Sequence, residues 1–293
     1  MRKPLLLFLC VWLSLAAWAQ TSHWNTRDFR LVTNYEVKCD SGCTLLYLLT
    51  LVPRTHPGFQ DIQKTTFSIK PFRVFTERNT CFAEFRIKNP QQAFDLTVLT
   101  EGRLYNTDYA SRRSAPSIPQ DSLTLFLQST PLCESDSPQI RNMAARIMQR
   151  EKSDIGRIHA IWKTVHDIPY VYGPVKSALE ILNSQEGCCT GKTNLFMALC
   201  RACGIPAREY YGIASGEAHA WPEAYLEGRG WVKFEPTHFN ETDYKSINGW
   251  HVRLSDGRFV LLALDTNFRY RFVSQGAKAT VKESSRFDVL QEE

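Results

Sequence analysis

The sequence predicts an α+β protein: an antiparallel β-sandwich on the N-terminal side, then a domain of helices packed on a second antiparallel sheet. Three observations carry this. Residues 24–128 fall into short β-prone or alternating runs separated by Pro, Gly and Asn, the texture of a sandwich. Residues 140–204 place apolar side chains at helical spacing. Residues 219–235 return to period two around a Glu-Gly-Arg-Gly turn at 227–230. At 293 residues, 43% hydrophobic and 12% aromatic, the chain can fill the core of one large or two ordinary domains.

The elements follow in order. Arg2 and Lys3 precede an apolar run over 4–16, and Ala17-Trp18-Ala19 has the Ala-x-Ala form of a cleavage site. This reads as a signal peptide over 1–19, cut after Ala19. It is too short to span a membrane, and no later segment reaches ~18 uninterrupted apolar residues. The mature chain is therefore expected to be secreted or periplasmic, without a transmembrane span. Losing Arg2 and Lys3 takes the formal charge from +5 to +3. That balance is mild and evenly spread, which argues against a nucleic-acid partner. Of nine cysteines, Cys10 leaves with the leader. Export permits disulfides, and Cys39 and Cys43 are spaced to bridge a hairpin tip, while Cys81 and Cys133 stay open.

Strands are expected at 29–37, 44–52, 65–75, 81–87 and 94–99. Ser129-Thr130-Pro131 and Ser135-Asp136-Ser137-Pro138 mark a boundary, giving a sandwich over 20–130 and a second domain over 131–275. Helices follow at 140–152 and 154–166, with Ser137 and Asp154 as candidate N-caps. A third helix, from Cys189, carries Leu195, Phe196, Leu199, Cys200 and Cys203 on its apolar side and stops at Gly204 before Ile205-Pro206. Strands at 250–254, 258–264 and 268–273 are expected to complete the second sheet. Residues 276–293 read as a polar tail that frays.

The chemistry concentrates between Gly187 and Thr237. A thiol at a helix start, a histidine and an acid are the residue types that acyl transfer on an amide requires. Cys189 opens the third helix, where unpaired N–H groups and the macrodipole can draw a thiol from ~8.5 into the neutral range or below. Lys192, one turn on, is expected to help. Ala220, Ala224 and Leu226 share one strand face, as do Val232 and Phe234 on the next strand. His219, Trp221, Glu223 and Tyr225 take the opposite face, with Trp231, Lys233 and Glu235. If the apolar faces coincide, His219 and Glu235 project from the same side of adjacent strands. A one-residue slip would separate them.

Laid out as Gly187-Cys188-Cys189, then Arg201 to Arg208, then His219-Ala220-Trp221 with Glu223, then Gly230-Trp231 with Glu235-Pro236-Thr237, the segment resembles the transglutaminase-like superfamily. The match runs over about 140–237. The family's Gly-x-Cys spacing selects Cys189 over Cys188, and its usual aspartate is replaced here by Glu235. The resemblance implies a papain-related, transglutaminase-like catalytic domain. It implies a secreted thiol enzyme acting on peptide-type amides, with Cys189 as nucleophile, His219 as base and then acid, and Glu235 as orienter of the imidazole. The Cys189 N–H, with a side chain from Tyr170 or Trp162, is expected to receive the oxyanion. Hydrolysis, as a peptidase or amidase, is the expected outcome. The alternatives are a protein-glutamine transglutaminase that passes the acyl group to an amine, and a non-catalytic binding module that keeps the fold. The expected partner is a protein or peptide substrate, with cell-wall peptides among the candidates. No cofactor and no metal are expected, because Cys200 and Cys203 read as core fillers without a second pair spaced for zinc. Leu51-Val52-Pro53 and Gln60 resemble the opening strands of the sandwich that often precedes such a core, and bracing the enzyme is its expected role.

Overall fold

The computed structural model describes residues 26–77, 79–105, 107–108, 120–214, 216–237, 246–247, 251–255, 260–261, 264–265 and 269–290. The leader expected at 1–19 lies outside them. Among the described residues no helix is long and apolar enough to cross a membrane.

Alternating burial makes β1 (Thr26–Cys39) one wall of a sandwich, with Phe29, Leu31, Tyr35 and Val37 turned inward. β2 (Leu45–Val52), β3 (Gln60–Phe67), β4 (Arg73–Glu77), β5 (Thr80–Lys88) and β6 (Ala93–Tyr105) follow. The single strand expected at 65–75 is two, because the chain crosses from one sheet to the other between Phe67 and Arg73. Pro71, which cannot donate to a ladder, falls in that crossing. Cys39 and Cys43 flank a turn as expected, but as two buried thiols rather than a disulfide.

Beyond the two-residue β7 (Thr107–Asp108) and the short α1 (Gln120–Thr124), the helical region begins with α2 (Pro138–Arg150) and α3 (Asp154–His166). Ser137 caps α2 through the Ile140 N–H. Ser153, not Asp154, caps α3 through the Gly156 N–H. α4 (Ala178–Ser184) opens on a capping box between Ser177 and Glu180. α5 (Cys189–Ala202) is the central helix, and Gly204, at φ +79°, supplies the left-handed residue that ends it. β8 (Ala207–Ala214), β9 (Glu217–Leu226), β10 (Gly230–Lys233) and β12 (His251–Ser255) form one antiparallel sheet in the order β10-β9-β8-β12. The two-residue β11 (Ser246–Ile247) pairs with β7, and β13 (Val260–Leu261) with β14 (Leu264–Asp265). Ala207, Ala224, Leu226, Val232 and Phe234 pack with Leu195, Phe196, Leu199, Cys200 and Cys203 in one core. The apolar faces of β9 and β10 therefore coincide, and both helix cysteines are core fillers.

The last two strands depart from expectation. β15 (Tyr270–Gln275) pairs with β2 and β16 (Ala279–Leu290) pairs with β1. Residues 270–275 thus leave the second domain's sheet, and the tail expected from 276 is an ordered strand through Leu290. The sandwich consists of sheets ordered β16-β1-β6-β3 and β15-β2-β5-β4. A second apolar cluster joins its end to the β10-β9-β8-β12 sheet, with Phe29, Leu31, Leu51, Phe82 and Leu104 against Ile213, Val252 and Leu254. The Gln60 amide reinforces that junction. It accepts the Arg253 N–H at 2.7 Å and donates to the Arg253 carbonyl at 3.1 Å.

Candidate active site

The first turn of α5 is set by close packing. A Cβ on Gly187 or Gly191 would collide with the Ile181 side chain of α4, so both glycines let that helix approach the cysteines. Cys188 is the N-cap, with extended backbone, and Cys189 is the first helical residue. Lys192 is buried, and its ammonium donates to the carbonyls of His166 (3.2 Å) and Ile168 (2.8 Å). Burial lowers its pKa to about 8, against the opposing pull of Glu235. Expected to assist the thiol, Lys192 instead anchors the backbone leading to Tyr170. Tyr170 bridges to Gly187, next to the cysteines, and the Val171 N–H donates to the Gly187 carbonyl at 3.0 Å. Burial and the two thiols push the half-exposed Tyr170 hydroxyl above its ordinary value, so it keeps its proton as a donor at neutral pH. Trp162 sits elsewhere. It is fully buried, and its indole N–H donates to the main-chain carbonyl of Glu235 at 2.9 Å. Its only N–H is spent there, so Trp162 clamps the acid rather than facing an oxyanion.

His219 and Glu235 meet as the alternation predicts. His219 Nε2 lies 2.6 Å from Glu235 Oε2, with both side chains buried. Glu235 Oε1 accepts the Thr237 N–H at 2.7 Å. A further residue joins them: His251 Nε2, from β12, reaches the same Oε2 at 3.0 Å. Burial alone would raise the Glu235 carboxyl, but the two imidazoles hold it well below the usual carboxylate range. The His251 pKa falls as well, to about 3, because the ring is fully buried and faces the Lys233 ammonium. The donor atoms of His219, Glu235 and His251 lie within 4.8 Å of one another, close enough to consider for a cation. The two short contacts to one oxygen, however, are those of a carboxylate accepting two imidazole N–H groups.

The two thiols split the effect expected of the helix start. Cys188 is lowered to about 5, first by the hydrogen bond from Cys189 and then by the N–H groups of Gly191 and Thr190, against burial. Cys189 is raised, first by that same contact and then by burial, while the Ala220 N–H and Thr190 favour its anion. Cys188 occupies the N-cap position without a side-chain capping hydrogen bond, and Cys189 is the first helical residue. The two sulfurs share one hydrogen bond, so the pair loses its first proton as a unit. Cys188 is buried, whereas Cys189 is partly exposed and beside Ala220.

The remaining motif residues hold the frame. Arg208 Nε and an Nη donate to Glu223 Oε2 at 3.0 and 2.9 Å, and Arg253 pairs with the other oxygen. Glu223 thus ties β8, β9 and β12 together beneath His219. Arg201 donates to the Ala207 carbonyl at 2.9 Å, fixing the turn from α5 into β8. Sequence reasoning missed His251. Its signal was a histidine opening an alternating stretch, Val252-Arg253-Leu254-Ser255, with nothing local to mark its partner.

Residues 141–236 match the model of the transglutaminase-like superfamily core. A 75-residue stretch is 33% identical to the uncharacterized protein YebA of Bacillus subtilis, covering 20% of this chain and 10% of YebA. The chain thus spans about a tenth of the length of that curated relative. A Cytophaga hutchinsonii structure, described as a candidate cysteine protease, superposes with TM-score 0.65 at 19% identity over 92% of both chains. The periplasmic domain of TgpA from Pseudomonas aeruginosa matches at TM-score 0.38 and 16% identity, over 69% of this chain and 88% of that one. The motif residues, the fold that joins them and the family match agree on one stretch: residues 141–236 form a transglutaminase-like core.

Proposed function

We propose that this protein is an exported thiol enzyme that hydrolyses peptide-type amides through an acyl-enzyme thioester on Cys189. The observation that carries the reading is the 2.6 Å His219–Glu235 contact, held beside a helix-opening thiol whose sulfur faces the Ala220 N–H. With Glu235 on Nε2, Nδ1 is the His219 nitrogen that exchanges a proton with Cys189. The thiolate attacks the carbonyl carbon, the C–S bond forms and the carbonyl π pair moves to oxygen. The Cys189 N–H and the Tyr170 hydroxyl receive that charge. The imidazolium gives its proton to the departing nitrogen as the C–N bond breaks. Water, deprotonated by His219, then attacks the thioester carbon and expels the thiolate. Glu235 orients the imidazole throughout and balances its charge. The sandwich braces the core, and the leader over 1–19 directs export.

Incubation of the full mature chain with a peptide library, read by mass spectrometry, tests the reading. Cleaved peptides that disappear with Cys189→Ala are expected. Products joined to an added primary amine, in place of free acids, would convert the hydrolase into a transglutaminase. Wild-type Cys189 that labels with iodoacetamide only above about pH 8, unaffected by His219→Ala, would leave a binding module instead.

A further inference from the structure

We propose that His251 is a positioning residue of this site: a neutral imidazole, delivered by β12, that fixes the Glu235 carboxylate so that it can orient His219. The inference rests on the proposed thiol chemistry, and it bears on the departure from aspartate. A glutamate has one more rotatable bond than an aspartate, so its carboxylate needs more anchors to hold one direction. Glu235 has them on every side. Its main-chain carbonyl takes the Trp162 indole N–H (2.9 Å), Oε1 takes the Thr237 N–H (2.7 Å), and Oε2 is shared between His219 Nε2 (2.6 Å) and His251 Nε2 (3.0 Å). An ionised carboxylate only accepts, so both Nε2 atoms carry hydrogen. That fixes the tautomer of His219 and turns its Nδ1 to proton exchange.

The second imidazole is itself held in place. Its ring meets Trp221 edge-on at 4.8 Å, and Gln60 pairs with the main chain of Arg253, two residues on. The charged neighbours are Lys233 on β10, Arg253 on β12, Glu223 and His219 on β9, and Lys192 on α5. Glu223 is already engaged by Arg208 and Arg253, and His166 on α3 stacks on Trp162 at 4.5 Å. Burial and the nearby Lys233 charge hold His251 neutral down to about pH 3. It therefore lends Glu235 an N–H without competing for the charge that should stabilise the His219 imidazolium.

The test is the rate of Cys189 alkylation by iodoacetamide in the full mature chain, followed by peptide mass spectrometry from pH 4 to 9. His251→Leu removes the donor. His251→Gln keeps a neutral N–H at a similar reach, and His251→Asn offers the same amide too short to arrive. Loss of a hydrogen bond to an ion should move the acid limb of the profile up by about one pH unit and slow labelling at pH 6 about tenfold. Leu and Asn are expected to show that shift, with Gln close to wild type. A folded His251→Leu chain with the wild-type profile, or Gln as impaired as Leu, overturns the proposal. Should the Leu chain fail to fold, equal profiles for Gln and Asn do the same. Imidazole 15N spectra separate this from failure of the thiol chemistry. Measured in the Cys189→Ala background, where His219 has no thiol to take a proton from, His219 should be an Nε2–H tautomer with wild-type His251 and with Gln, and mixed with Asn and Leu. An unchanged His219 tautomer in all four chains would reject His251 as a positioning residue.

Discussion

Cys188 and Cys189 differ by one backbone step, and that step decides which residue holds the N-cap position of α5 and which sulfur lies beside Ala220. The contact from Cys188 is the largest influence raising Cys189. Removing it should ease ionisation of the remaining thiol. Cys188→Ala is therefore expected to shift the onset of Cys189 labelling to lower pH, by about one unit or more. It should retain turnover, whereas Cys189→Ala abolishes both. Labelling lost from position 189 in the Cys188→Ala chain would move the nucleophile by one residue. Single side chains were legible only where their function is local. The helix start identified the cysteine pair from Gly187 and Gly204, but could not say that the two thiols would share a hydrogen bond. Trp162 and Lys192 were misread because their partners lie far along the chain: Glu235 is 73 residues from Trp162, and Ile168 is 24 from Lys192. An indole or an ammonium advertises a donor, not the carbonyl that will take it.

At the scale of strands, period two carried the most information. It placed His219 and Glu235 on one side of a hairpin whose register pairs Lys233 with Glu223 and Val232 with Ala224, and the contact between them follows from that face. β12 also alternates, with Val252 and Leu254 between His251, Arg253 and Ser255, but its polar residues are buried too, so alternation gave the strand and not the partner of His251. α4 was missed although its capping box is written in the sequence at Ser177 and Glu180, because seven residues show too little periodicity. The close approach of β12 to β8 depends on Gly212, which pairs with both His219 and Arg253. A Cβ there would collide with the Val252 carbonyl and sit 3.0 Å from the Trp221 ring. Gly212→Val should force β12 outward and pull His251 off Glu235. The expected loss is about 1–3 kcal/mol of stability, read by thermal denaturation. Cys189 labelling at about pH 6 should fall with it towards the behaviour of an ordinary thiol. A lower Tm with an unchanged labelling profile would mean that strand spacing does not govern the site.

Across the whole molecule, the chain closes on itself. β1 near its beginning is paired along Asp28 to Cys39 with β16 near its end, and β15 lies beside β2. The sequence concealed this for a physical reason. β16 alternates, but its inward positions include Glu283 and Ser285, so hydropathy reads the segment as a tail. Glu283 is accommodated by Arg269 at 2.8 Å, Phe287 stacks on Phe29 with centroids 5.8 Å apart, and the Tyr270 hydroxyl donates to the Val281 carbonyl at 3.0 Å. Each of these partners is distant in sequence or set by the fold, beyond the reach of a local pattern. The arrangement packs the sandwich against the sheet that carries His251, since Phe29 and Leu31 lie in the cluster that also holds Val252 and Leu254. β12, which carries His251, is part of that junction. A chain ending at Gln275 should therefore lose more than a frayed end. It would leave β1 with an unpaired edge and uncover Phe29, inviting association between copies. The expected result is a Tm lower by about 10 °C or more, concentration-dependent aggregation in light scattering, and slower Cys189 labelling at about pH 6. An unchanged Tm on removing 276–293 would restore the tail reading and sever the site from the sandwich.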